Sequence, residues 1–404
     1  MNHRLHVATL VTTFALARAA HAEPLPDAQP QPQLEPAPPA PPAPPLPEPA
    51  PPAPVTVAPP APSPALPPNG RAAPPTEAAT RGTSKVRAGL EIFAEYNYRR
   101  TLGPGDTSSW FHTFDVPRVH GAIEGEYDDR LRGRLLVEAV RSASEGALVG
   151  VAGDSLVVRV REAYGAYKLF EPVEISAGVI PTLTVPELDG TWMLRAIAPS
   201  AMEANALGTP ADLGAKVRVE APDHYGWAGV AVTNGEGYAG RELNRGKTIE
   251  GAIEVHPLPA GGLRPLGVFF SYDAGSLGTV GARADRLTSG LVWQGVLVRA
   301  GAFFTYAWGV GQNGTQHAAL GTAFLRVEPI TRVLAGARVD IAVRDVRTAP
   351  ADVISTVWLT AGYRVADPLE VFLAGSRSIP SNRAEAEVPG SDSWALRVIG
   401  RVVF

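Results

Sequence analysis

From about Val86 to its last residue, the chain alternates apolar and polar positions in short runs. Ser393 to Phe404 is the clearest of them. Trp394, Leu396, Val398, Gly400, Val402 and Phe404 fall on one face, and Ala395, Arg397, Ile399, Arg401 and Val403 on the other. Residues two apart on a strand share a face, so this run predicts a β-strand with one apolar and one charged side. Leu90, Ile92, Ala94, Tyr96 and Tyr98 oppose Glu91, Glu95 and Asn97 in the same way. Val119, Ile123 and Tyr127 oppose Arg118, His120, Glu124 and Glu126, while Leu131, Leu135 and Val137 oppose Arg132, Arg134 and Glu138. Further on, Val158 and Val160 oppose Arg159 and Arg161, and Ala215, Val217 and Val219 oppose Lys216 and Arg218. Val333, Ala335, Ala337, Val339 and Ile341 oppose Arg332, Arg338, Asp340 and Arg344, and the run ending at Tyr363 faces away from Arg364. About 16 such runs can be counted.

The connections between runs alternate in length. Tight turns fall at Asp128-Asp129, Glu171-Pro172, Pro222-Asp223, 256–263, Gln294-Gly295, Glu328-Pro329 and Asp367-Pro368. Longer segments fall near 100–115, 141–155, 182–211, 233–246, 273–283, 307–316, 345–353 and 378–392. Short turns at one end and long loops at the other are how membrane-spanning barrels join strands. The pattern therefore predicts an all-β fold, a transmembrane antiparallel β-barrel of about 16 strands with charged residues inside. Tyr96, Tyr98, Tyr127, Tyr164, Tyr167, Trp227, Tyr363 and Trp394 lie near strand ends and suit interfacial girdles. One strand breaks the rule: the face of Leu156, Val158 and Val160 continues as Glu162 and Tyr164. Either a bulge near Arg161 shifts the register, or a neighbouring subunit covers Glu162, since a carboxylate in lipid is costly.

Composition narrows the picture. Charged residues make up 19% of the chain, and past the N-terminus no apolar run is long enough for a membrane helix. Cysteine is absent, which excludes disulfides, thiolate metal sites and a lipoprotein anchor. The net charge of −4 argues against nucleic acid as a partner. Residues 1–22 read as a secretory signal, with Arg4 before an apolar stretch and Ala20-His21-Ala22 as a cleavage site. Residues 23–84 are rich in Pro and Ala, lack a periodic apolar face, and predict a disordered periplasmic linker; residues 85–404 form the barrel.

Two groups of residues are candidates for function. Segment 182–211 is the longest loop and mixes Glu187, Asp189, Arg195 and Glu203 with Leu183, Val185, Trp192, Met193, Leu194 and Ile197. So apolar a loop is expected to pack inside the lumen as a constriction, with an external flap as the alternative. The inward cations Arg118, Arg132, Arg134, Arg159, Arg161, Lys216, Arg218, Arg338, Arg344 and Arg364 are expected to line the pore. Rings of such side chains favour anions, unless they pair with lumen carboxylates and only brace the wall. Signals for catalysis are thin. His112, His120, His224, His256 and His317 lack metal-ligand spacing, and neither a G-x-S-x-G element nor a phosphate-cradling loop occurs. No cofactor and no enzymatic activity are expected.

Several stretches resemble the phosphate-selective porin O and P family. F-D-V-P-R-V-H-G-A-I-E-G at Phe114–Gly125 is similar to that family's second-strand motif. R-E-A-Y-G-A-Y at Arg161–Tyr167 and E-I-S-A-G-V-I-P-T at Glu174–Thr182 resemble its next block, and A-V-T-N-G-E-G at Ala231–Gly237 its seventh strand and loop. The final strand ending on Phe404 resembles those that barrel-assembly machinery reads as its signal. The resemblance spans about Val86 to Phe404. It implies a 16-stranded, usually trimeric barrel whose third loop enters the lumen, passing phosphate or other small anions along an arginine ladder and a lysine cluster. Here Lys85, Lys168, Lys216 and Lys247 are the only lysines, so the cluster has no counterpart. Pro117 also stands where a basic or polar residue is more usual. What carries over is architecture and general anion passage. The expectation is an outer-membrane porin of a Gram-negative bacterium, in contact with lipid and passing small anionic or neutral solutes. The alternatives are a structural or binding barrel tethered by its Pro-rich arm, or an outer-membrane hydrolase using His317.

Overall fold

A strand that is apolar on one side and charged on the other is stable in a membrane only if its backbone is fully paired and its charged side is hidden from lipid. A computed structural model meets both demands by closing the sheet. It describes residues 84–103, 108–141, 156–258, 261–279, 281–311, 313–388 and 390–404. The expected signal and Pro-rich segment lie outside the described residues, apart from Ser84, as does most of the expected loop 141–155.

The chain opens with β1 (Ser84–Leu102), β2 (Ser108–Tyr127), β3 (Leu131–Arg141), β4 (Leu156–Phe170) and β5 (Val173–Pro181). Two helices follow, α1 (Thr184–Trp192) and α2 (Ala201–Ala204), and then β6 (Ala211–Glu220), β7 (Gly226–Thr233), β8 (Thr248–Val255) and β9 (Leu266–Ala274). A short ribbon of β10 (Ser276–Leu277) and β11 (Ala282–Arg283) precedes β12 (Asp285–Gln294), β13 (Val298–Val310), β14 (Asn313–Ile330) and β15 (Val333–Asp345). The chain ends with β16 (Asp352–Ala366), β17 (Leu369–Pro380), α3 (Asn382–Glu387) and β18 (Ser393–Val403). All strands but β10 and β11 form one closed, sixteen-stranded antiparallel barrel, in which β1 pairs with both β2 and β18. The seam continues to the last residue, where Phe404 and Leu90 exchange backbone hydrogen bonds of 2.9 and 3.2 Å.

The expected faces are the observed ones. Val158 is 74% exposed and Leu359 60%, both on the outer surface, whereas Glu138 is 0% exposed inside the wall. The anomaly at Glu162 is a β-bulge. Leu136 pairs with Glu162 but Val137 pairs with Val160, so Arg161 is the extra residue. The shift turns Glu162 inward, where the Arg134 Nε meets it at 3.0 Å. A second bulge explains Pro117. Phe93 pairs with Arg118 and Glu95 with Asp115, so Val116 and Pro117 lie opposite Ala94 alone, where no ladder N–H is required.

Three expectations need correcting. Segments 100–115 and 307–316 are largely strand, because β1, β2, β13 and β14 run on past the expected loop boundaries. Trp227 belongs to the interior, buried beneath Arg218, whose guanidinium lies 3.8 Å from the ring centre. Tyr164, on the inner side of β4 after the bulge, packs against buried interior residues. Trp227 lies near the start of β7, as a girdle residue would, whereas Tyr164 lies in the middle of β4.

Candidate functional site

Segment 182–210 begins where β5 stops. Its base is closed by Thr182, whose N–H donates to the Pro210 carbonyl at 3.1 Å and whose hydroxyl donates to the Thr209 carbonyl at 2.7 Å. The start of α1 is held by the wall. Leu183 and Thr184 N–H groups donate to the two oxygens of Glu250 on β8, at 2.8 and 2.7 Å, and the Thr184 hydroxyl donates to Ser271 on β9 at 2.8 Å. Glu250 thereby satisfies donors that a helix start leaves open.

Past α1, apolar side chains carry the segment across the inner wall. Trp192 lies 5.3 Å from Phe324 of β14, ring centre to ring centre, and its indole N–H donates to the Ala198 carbonyl at 3.1 Å. Leu194 and Trp192 cover Gly336 of β15, where an added Cβ would lie 2.8 Å from a Leu194 methyl. Leu183, Val185, Leu188, Trp192, Leu194, Ile197 and Met202 join Trp227, Phe269, Phe303, Phe324 and Ile399 in one buried cluster. This is why so apolar a loop is stable: its greasy side rests on the inner wall rather than in water.

Inward cations fasten the segment's backbone. Arg338 donates to the Pro199 carbonyl at 2.5 Å, Arg286 to Leu207 at 3.0 Å and Arg397 to Ile197, while Lys216 holds Pro181, the last residue of β5, at 2.8 Å. Of the four acidic and basic residues expected there, three meet. Arg195 bonds both Asp189 and Glu203, with 2.6 Å to each Glu203 oxygen, and the Ser200 N–H donates to Asp189 at 2.8 Å. Burial pushes the Asp189 carboxyl up. Burial also opposes ionisation of Glu203, but Arg195 outweighs it and holds that carboxyl below the usual range. Glu187 stands apart and faces Glu254 of β8, with Gln294 Nε2 3.4 Å from Glu187 and 3.2 Å from Glu254. Burial and then the Glu254 charge push Glu187 up to about 8.

The expected pore-lining cations divide by their partners. Glu138 is a hub for β2 to β4: Arg159 reaches it at 2.7 Å, His120 at 3.5 Å and Arg161 at 3.6 Å, and Tyr238 donates to it from the 234–247 loop. Arg134 pairs with Glu124 and Glu162 at 2.5 and 3.0 Å, and Arg132 with Glu174 at 2.7 Å. Arg218 pairs with Glu220 at 2.6 Å, Arg338 with Asp340 at 2.7 Å, and Arg344 with Asp352 at 3.5 Å. Across the seam runs a belt of His120, Glu91, Arg401, Glu370 and Arg364, with contacts of 2.9, 2.6, 2.7 and 3.2 Å. These arginines brace the wall. Arg118 and Lys216 differ: among the described residues neither has an ion pair, and whereas Lys216 donates to the Pro181 carbonyl, Arg118 lies among charges that include Arg195 and Glu203 of the loop.

Sequence reasoning missed Glu250, Arg286, Gln294 and Gly336 as partners of the loop. The alternation in T-I-E-G-A-I-E-V marks Glu250 and Glu254 as inward, but nothing local says which segment they receive. His317 hydrogen-bonds Tyr306 at 3.1 Å, and among the described residues neither a serine nor a carboxylate contacts its ring.

No protein family and no curated protein matches this chain. Solved structures do. OmpF of Salmonella typhi in complex with daunomycin superposes with a TM-score of 0.58 at 14% identity, covering 80% of this chain and 98% of that one. An anion-selective porin from Comamonas acidovorans gives 0.57 at 11%, covering 80% and 100%. In-vitro folded OmpT of Vibrio cholerae, in trimer form, gives 0.52 at 15%, covering 80% and 99%. At these identities the likeness is one of fold: a porin-like barrel.

Proposed function

We propose that the chain forms a passive channel for small hydrophilic solutes in the outer membrane of a Gram-negative bacterium, narrowed by segment 182–210 and preferring anions. The observation that carries this reading is the space that the seated segment leaves beside it. Its apolar face rests on the wall from β7 to β15, with Arg397 of β18 tying the Ile197 carbonyl, while Ala204 and Asn205 border a cavity of about 340 Å³ against β15 to β18 and β1. A loop that leaves such a space supports a narrowed pore over a plugged one. In a lumen whose charges are mostly paired, the unpaired ones decide the sign of the field. Arg118 beside the loop and Arg99 at the cavity's edge carry no ion pair among the described residues, whereas the unpaired Glu250 and Glu187 are taken up by the loop's N–H groups and by Gln294, which supports anions, phosphate-like ones included.

The porin-like neighbours support an assembly of three copies and placement in the outer membrane, one neighbour being an anion-selective porin and another a trimer. Phe404, pairing with Leu90 at the seam, serves as the signal for barrel assembly. The test is the reversal potential of single channels under a KCl gradient, for the native chain and for Arg118→Ala. An anion-selective potential that weakens in Arg118→Ala, and less in Arg132→Ala, is expected. Absence of conductance, or a cation-selective potential, overturns the reading.

A further inference from the structure

We infer that the cavity between α2 and the wall of β15 to β18 and β1 is a binding site for a small neutral saccharide. It rests on the channel reading only for the solute's access to the lumen. Register places its lining on adjacent strands: Thr356 pairs with Ser378 and Ser378 with Ser393, while Trp358 pairs with Ser376. Asn97 of β1 completes the set beside Arg397. The lining thus carries an aromatic ring, two amides (Asn97 and Asn205) and four hydroxyls beside Arg99, Arg397 and Asp340, a composition richer in uncharged polar groups than the arginine–carboxylate wall of β2 to β4.

The charges at this cavity are largely cancelled within the protein. Arg397 is 3.3 Å from Glu95, and Arg338 is 2.7 Å from Asp340. Small residues make the floor: Ala395 lies across the ladder from Ser376, beside the Trp358 ring, and the Arg397 guanidinium lies 5.4 Å from that ring's centre. Two polar atoms here are unspent. The Trp358 indole N–H and the Asn97 side-chain oxygen are buried and have no hydrogen-bond partner, one a donor and the other an acceptor. Buried polar atoms are normally satisfied, so such a pair is an exception that asks for a reason. A hydroxyl both donates and accepts, and sugar hydroxyls that reach these atoms after a small side-chain rotation satisfy both. The apolar face of a sugar ring meets the aromatic ring, the usual way a site of few charges orients a polar solute. The cavity volume of about 340 Å³ admits a molecule of that size. Arg99 at the edge makes an anionic sugar acid the competing occupant, and the experiment separates the two.

The full-length protein in detergent is titrated with glucose and, separately, with gluconate by isothermal calorimetry. The same protein is then studied in planar bilayers with either solute added. Saturable glucose binding is expected, with a saturable fall in ion current beyond the effect of viscosity. Trp358→Ala should weaken binding about tenfold, and Ser376→Leu, which fills the floor, should abolish it. Heat-modifiable mobility on gels checks that both variants fold, and the native titration stands without them. Lack of saturable glucose binding, binding of gluconate alone, or equal glucose affinity in native and both folded variants overturns the inference. Binding without conductance would defeat the channel reading and leave the site standing. Conductance without binding would do the reverse.

Discussion

Glu250 offers the sharpest test of how the loop is held. Its two oxygens each accept one backbone N–H, from Leu183 and Thr184, which are 2% and 1% exposed. Glu250→Ala leaves both donors buried without a partner. At about 1–3 kcal/mol for each orphaned group, the attachment weakens by roughly 2–6 kcal/mol, the lower end applying if water enters the vacated space. Even about 3 kcal/mol shifts the ratio of attached to detached loop by roughly 100-fold. Glutamine does not rescue it: its single amide oxygen accepts one N–H, and its NH₂ group faces the other donor. A detached α1 start moves into the free part of the lumen, so single channels of either variant should close repeatedly, where native channels stay steady. The barrel itself should stay intact, keeping its heat-modifiable mobility. Steady Glu250→Ala channels of native conductance would refute the reasoning, because the anchor would then contribute nothing to the loop's position.

Other predictions follow from the same contacts. Glu187 is held up at about 8 by burial and by Glu254, with His256 bonding Glu254 at 2.8 Å and Arg218, Glu220, Asp223 and Gln294 around them. A raised carboxyl favours the protonated state, so this contact is strongest below the ordinary glutamate range and is lost as pH rises through about 8. Channel noise should grow from pH 6 to 9, and Glu187→Gln should abolish that dependence; a pH-independent native channel would contradict it. Arg195→Met removes the cation shared by Asp189 and Glu203, leaving two buried carboxylates unpaired. The loop should lose about 3–5 kcal/mol, and the reversal potential should move toward cations. Gly336→Leu puts a side chain where a Cβ alone already meets Leu194 at 2.8 Å, and about 1–3 kcal/mol of overpacking should change unit conductance. An unaltered conductance would show that the loop yields there freely.

The barrel was legible because its physics is local. Period-two alternation fixes which side chains of β18 face lipid, and Pro and Asp pairs mark the turns. The break at Glu162 pointed to a bulge or to a covering neighbour, and the register shows the bulge. Loop boundaries were less legible, because Trp308 and Phe111 continue a strand as readily as they begin a loop. The partners of the inward arginines were hidden for another reason. Alternation says that Arg338 points inward but not that Asp340 and Pro199 take up its guanidinium. The Pro199 contact joins residues far apart in sequence, the Asp340 contact neighbours on one strand face, and such pairings turn an apparent ladder of selective cations into a set of braces. Arg118 is singled out only once every other partner is known.

The most direct test uses the absence of cysteine, which makes any introduced thiol unique. Ala204→Cys, at the cavity edge, and Leu359→Cys, on the outer face, are treated with a cationic methanethiosulfonate while single-channel conductance is recorded in a planar bilayer. If the space beside segment 182–210 is the conducting path, modification at position 204 lowers conductance in discrete steps, and modification at 359 leaves it unchanged. A channel indifferent to a modified thiol at 204, or a barrel that never conducts, would contradict the account.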